Sequence, residues 1–170
     1  MIRVSMLALV CCGLMVATAA DATAKKRLNF AAEAKLVASV CAEFVLSAKA
    51  HTARMAAAGY AAKAKNKSTR YRKYSDGRQS TSMTAEYFIN RRDPSKRSCT
   101  MTTVFTRPDE ARGNVEALIQ AFRAKGFSAA LPSGFWSRGT VVLSGPGGDY
   151  QISSTYTQQG GVLKSSLFQR

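Results

Sequence analysis

Two cysteines in the body of the chain, Cys41 and Cys99, constrain the fold most, because the sequence around each turns it inward. Cys41 lies within the series Phe30, Ala34, Val37, Cys41, Phe44, Ala48 and Met55, which steps by three, four and seven. That is the period of an α-helix with one buried face. Asn29 can cap this helix, the many alanines favour it, and Gly59 predicts its end. Cys99 belongs to a different pattern. Cys99, Met101, Thr103 and Phe105 alternate with a Thr-rich set, as in a strand with one face inward. A disulfide between Cys41 and Cys99 would therefore staple helix to strand. It would close a loop of about 59 residues, for which the chain-entropy relation gives about 4 kcal/mol.

The N-terminus predicts a compartment in which such a bond persists. Arg3 is followed by an apolar run from Met6 to Ala20, and Ala17-Thr18-Ala19 and Ala22-Thr23-Ala24 both read as cleavage sites. This is the layout of a secretory signal peptide. The run is 15 residues long, short of the roughly 20 that span a bilayer. The sequence predicts a signal peptide over 1–24 and a single domain over 25–170. The expected location is periplasmic or secreted, and the protein is not expected to be integral to a membrane. Cys11 and Cys12 leave with the leader, and Val10 before Cys11 breaks the lipidation pattern. The even pair that remains fits an oxidising compartment.

The other elements follow from period and punctuation. Met83, Ala85, Tyr87 and Ile89 alternate with polar neighbours as a strand. Residues 91–97 (RRDPSKR) form a loop, and the strand holding Cys99 returns. A second helix starts at a Thr106 cap with Pro108, Asp109 and Glu110 in its first turn. It buries Ala111, Val115, Leu118, Ile119 and Phe122 and ends at Gly126. Residues 140–143, the alternation Tyr150, Ile152, Ser154, Tyr156, and residues 162–168 read as three strands joined by glycine turns. The expected architecture is α+β: helix, two strands, helix, three strands. It packs as a two-layer sandwich, with an antiparallel sheet and both helices on one face.

Charge points to partners. The chain carries 25 Lys and Arg against 10 Asp and Glu, a formal net charge of +15. Removing the leader takes away Arg3 and Asp21 together and leaves that balance unchanged. Such an excess bears on partners and solubility rather than on fold. Seven cations and one acid fall within residues 63–78, in a basic stretch at about 60–80 that shows no apolar period and reads as a loop. Tyr60, Tyr71 and Tyr74 are interleaved with them. The predicted anion-contacting residues are Lys63, Lys65, Lys67, Arg70, Arg72 and Lys73, joined by Arg91, Arg92 and Arg97. Expected partners are anionic lipid, polysaccharide or acidic protein. Motifs for specific nucleic-acid binding are missing.

Catalytic signatures are sparse. The single histidine, His51, falls near the edge of the first helix's buried face, and no Gly-x-Ser-x-Gly surrounds a serine. One His and two cysteines give too few ligands for zinc. Gly145-Pro146-Gly147-Gly148 precedes Asp149 and a strand, so it is a hairpin turn and not a phosphate-binding loop. No catalytic residue, metal or cofactor is expected. The sequence reads as a monomeric, non-catalytic binding or accessory protein that contacts anionic envelope components. The alternatives are a small periplasmic enzyme whose acids converge only in the fold, or an inhibitor or accessory subunit.

Overall fold

The computed structural model describes residues 27–170 apart from 67, 76–80, 90–92, 94 and 95, and the side chain of Lys65. The predicted leader lies outside the described residues. Three helices and eight strands are described: α1 (Phe30–Ser47), α2 (Thr52–Ala57), β1 (Ala61–Lys65), β2 (Ser68–Tyr74), β3 (Ser82–Ile89), β4 (Arg97–Val104), α3 (Pro108–Arg123), β5 (Ser128–Ala129), β6 (Arg138–Gly145), β7 (Gly148–Thr157) and β8 (Val162–Gln169). All eight strands join one sheet in the order β1-β2-β3-β4-β8-β7-β6-β5, antiparallel at every step. The fold is α+β. Each half of the chain is a long helix followed by a four-stranded meander. The two meanders meet at β4 and β8, paired from Ser98↔Phe168 to Thr103↔Leu163.

Strand alternation assigns the faces. Cross-strand register aligns Tyr87, Cys99, Leu167, Ile152 and Val141 in one row, and all are buried. The helices pack on that side. Cys41 of α1 is disulfide-bonded to Cys99 of β4 with Cα atoms 5.5 Å apart, within the range such a bond requires. Phe44 of α1 stacks on Tyr87 at 4.7 Å, and Phe122 of α3 meets Tyr150 of β7 at 5.5 Å. The two helices run side by side in the same direction. Arg27, just before α1, pairs with Glu110 in the first turn of α3 at 2.6 Å. At the other end Lys125, just beyond α3, acts electrostatically on Glu43 of α1.

Several expectations need correction. The first helix ends at Ser47, not near Gly59. Ala48 turns left-handed at φ 59°, and Arg97 donates to the free carbonyls of Val45 and Leu46 at 3.0 and 3.3 Å. The separate α2 then carries Met55 into the core. The basic stretch read as a loop is the hairpin β1–β2. Its alternation is hidden in the sequence because, of the inward positions Thr69, Tyr71 and Lys73, only Tyr71 is apolar. Asn66, at φ 52°, enters the hairpin's turn. The short β5 adds an eighth strand. Thr106 does not cap α3. Arg107 takes the cap position, where its backbone N–H donates to Glu110 at 2.8 Å. Phe105 leaves the inward row, at φ 58° and exposed.

The β7–β8 turn is pressed against the start of α3. Phe105 and Thr106 donate backbone bonds to Gly160 and Gly161 carbonyls at 3.0 and 2.9 Å. A Cβ on Gly161 would come within 2.5 Å of the Thr106 carbonyl oxygen, and its φ of 53° already disfavours side chains. Gly161→Ala should lower stability by roughly 2–3 kcal/mol in urea denaturation. Gly147→Ala has open space around it at φ 84° and should cost about 1 kcal/mol. Equal losses would remove the close approach as the cause. Replacing Cys41 and Cys99 together with alanine should cost about 4 kcal/mol, read as a lower urea midpoint. An unchanged midpoint would contradict the staple.

Candidate functional site

The side of the sheet away from the helices is polar. Strand register lines up Arg72, Thr84, Thr102, Lys164, Thr155 and Arg138 across β2, β3, β4, β8, β7 and β6. With strands about 4.8 Å apart, this row is roughly 24 Å long. A neighbouring row is Lys63, Arg70, Glu86, Thr100, Ser166, Ser153 and Thr140. Lys63, Arg70, Arg138 and Lys164 are exposed; of the hydroxyl residues between them Thr140 and Thr155 are exposed, Thr100, Thr102, Ser153 and Ser166 are half-buried, and Thr84 is buried. A third row places exposed Phe88 and half-buried Phe168 beside Ser98 and Gln151. Fixed cations, hydroxyls and aromatic edges on a rigid sheet can hold anions, sugars or both.

The nine predicted anion-contacting residues are not all on this face. Lys63, Arg70 and Arg72 are. Arg70 is partly committed, since it binds Glu86 at 2.9 Å. Arg72 donates to Thr84 at 3.2 Å and to Tyr74 at 2.5 Å, and lies 5.5 Å from the Tyr74 ring. Lys65 lies in β1 opposite Ser68. Lys73 turns to the helix side, where it binds Glu33 of α1 at 2.5 Å and sits over the Tyr60 ring. Arg97 holds the end of α1. Lys67, Arg91 and Arg92 fall outside the described residues. Of the interleaved tyrosines, Tyr60 and Tyr71 are buried and only Tyr74 is exposed. Burial and then the Glu33 carboxylate push the Tyr60 hydroxyl far up, so it stays a neutral donor to Glu33 at 2.8 Å.

Arg138 and Lys164 are the face residues the sequence reading missed. Each lies on the polar side of an alternating strand, which is the signal that finds them. Two residues sit at adjacent α1 and α2 positions instead. His51 precedes α2, and its only partner on Nε2 is the Glu43 carboxylate it touches. Ser39 binds Glu43 at 3.5 Å and accepts from Arg54 at 3.4 Å. In this cluster the carboxylate stands between the serine and the histidine, so His51 is not arranged to take a proton from Ser39. Among the other described acids, Glu33, Glu86, Glu110 and Glu116 each pair with a cation, and Asp109 lies 3.8 Å from Arg107. The described residues contain no group of three or more His, Cys, Asp or Glu able to hold a metal ion. No described helix is long and apolar enough to cross a membrane.

Compared with known proteins, the chain matches no family model, no curated protein and no solved structure.

Glu43 gives a pH test. Burial raises its pKa, but His51, Lys125 and Arg54 more than offset this, so the carboxyl is held below its ordinary 4.5. A lowered folded pKa contributes stability above the unfolded pKa and loses it as pH falls through the folded value. The stability difference between wild type and Glu43→Gln should therefore be level near neutral pH and shrink below about pH 4.5. A difference that grows on acidification would contradict the assignment. Thermal melts across an acid series read it.

Proposed function

We propose that the protein is a non-catalytic binding protein of an oxidising, extracytoplasmic compartment, and that its open sheet face contacts an anionic polysaccharide. The observation that carries this reading is the row Arg72, Thr84, Thr102, Lys164, Thr155 and Arg138 on one face of the sheet. Its cations stand at both ends and between, with the accessible threonines Thr102 and Thr155 in the gaps. Cations pair with carboxylate, sulfate or phosphate, and hydroxyls hydrogen-bond sugar hydroxyls. The same face carries exposed Tyr74 and Phe88 beside its cations, so an anionic lipid surface, which asks for apolar anchors, is the second reading, while Ser and Thr at the positions between favour a sugar. The excess charge of +15 would speed encounter with any polyanion. The disulfide fits such a compartment. The catalytic alternative has less support, because Glu33, Glu43, Glu86, Glu110 and Glu116 each pair with a basic side chain, including three of the four acids (Glu43, Asp109, Glu110 and Glu116) that line the groove along α1 and α3.

The test uses immobilised heparin as a sulfated polysaccharide. Lys63, Arg72, Arg138 and Lys164 are replaced together by serine. The variant should keep its fold by circular dichroism and elute at clearly lower salt, because each lost contact removes part of the salt-dependent attraction. Elution at the same salt would sink the reading. Retention on anionic vesicles that exceeds retention on heparin would redirect it to a lipid surface.

A further inference from the structure

Where α1 and α3 end, a cleft of about 570 Å³ opens between the helix ends and the inner side of the sheet. That volume is in the range of small-molecule sites. Its apolar wall is Leu46, Phe127 and Pro146. Arg97 and Gln169 enter it from β4 and β8, each one residue past the Ser98–Phe168 pair of the seam. Both belong to the inward rows, so the cleft is separate from the outer sheet face.

The polar side chains of the cleft are Arg97, Lys125, Tyr150 and Gln169, and no acid lines it. Arg97 gives Nε and one Nη to the carbonyls of Val45 and Leu46. Those bonds fix the guanidinium, answer the negative end of α1 and leave its other N–H donors unspent. Lys125 acts on Glu43 only from beyond ion-pair distance and has no ion pair among the described residues. The half-buried Gln169 amide has no hydrogen bond among them either. Tyr150 is the most telling. The residue is 4% exposed, and its ring is fixed against Phe122 and Phe127 at 5.5 and 5.4 Å. Its hydroxyl has no hydrogen-bond partner among the described residues. Yet it is not sealed in the core as the Tyr87 hydroxyl is, and it opens on the cleft.

We infer that this cleft is a binding site for a small organic acid, whose carboxylate meets Arg97, Lys125 and the Tyr150 hydroxyl and whose apolar body lies against Leu46, Phe127 and Pro146. Guanidinium, ammonium and phenol all donate, and a carboxylate accepts from several donors at once. A neutral ligand would take water from two cations without supplying a counter-charge. A cationic ligand would meet like charge. A sugar polymer would set its hydroxyls against the apolar wall.

The experiment titrates the isotope-labelled protein with phenylacetate, phenylacetamide and phenethylamine, which share one aromatic body and differ in charge. Phenylacetate should bind saturably with a Kd of about 1 mM or tighter and shift the amides of Gly147, Tyr150 and Gln169. The amide and the amine should bind at least about tenfold more weakly. Tyr150→Phe keeps the ring and loses a hydroxyl that has no partner, so its melting temperature should hold while phenylacetate affinity falls about fivefold. Lys125→Gln, at an exposed position, should also lower the affinity severalfold. Arg97 is left in place because it holds the end of α1. Four results would overturn the inference: no saturable binding of phenylacetate, phenylacetamide bound as tightly, shifts centred on the outer sheet face, or full affinity in both Tyr150→Phe and Lys125→Gln.

Discussion

The pairing of β4 with β8 is the contact on which the remainder depends. Without it the sheet would be two separate four-stranded meanders, each with a long unpaired edge. With it, Cys99, Met101 and Thr103 join Leu163, Ser165 and Leu167 in a continuous buried inner face under α1. The disulfide lies next to this seam, since Cys99 pairs with Leu167 across it. The staple therefore holds α1 over the junction itself. The seam also sets the outer face: it is what aligns Arg72 of the first half with Arg138 of the second in one row.

Sequence legibility followed how cleanly burial alternates. α3 was readable because Ala111, Val115, Leu118, Ile119 and Phe122 keep a strict helical step and Pro108 and Gly126 punctuate it. The inward sets of β3, β4 and β7 were readable for the same reason with period two. The cysteine pairing followed from those faces. What failed is where polar residues hold inward positions. Lys73 faces the helix layer because Glu33 waits for it there, and this erased the alternation of β2. The break after Ser47 depends on Arg97, a residue 50 positions away in sequence, binding the last carbonyls of α1. A local reading has no access to that contact. Asn114 was passed over in the sequence, and its burial beside the apolar stripe of α3 without partners is a property of the fold.

Charge in this protein divides into two uses. Lys73, Arg97 and Arg27 are spent on holding elements together, through Glu33, the end of α1 and Glu110. Lys63, Arg138 and Lys164 remain exposed on the hydroxyl-lined face, with Arg70 and Arg72 partly engaged beside them. The hairpin β1–β2 is dense in charge, and the proposed contact face extends from it across both halves of the sheet. The helix side and the sheet side are chemically distinct, one small-residued with a buried unpaired amide, the other polar and basic.

The central claim is that the outer sheet face acts as one surface across the β4–β8 seam. An NMR titration of the isotope-labelled protein with a heparin oligosaccharide tests it most directly. The account predicts a single binding event that shifts amides on both sides of the seam, around Arg72 in β2, Lys164 in β8 and Arg138 in β6, and leaves α1 and α3 unchanged. Shifts confined to the β1–β2 hairpin, or centred on the helices, would contradict it.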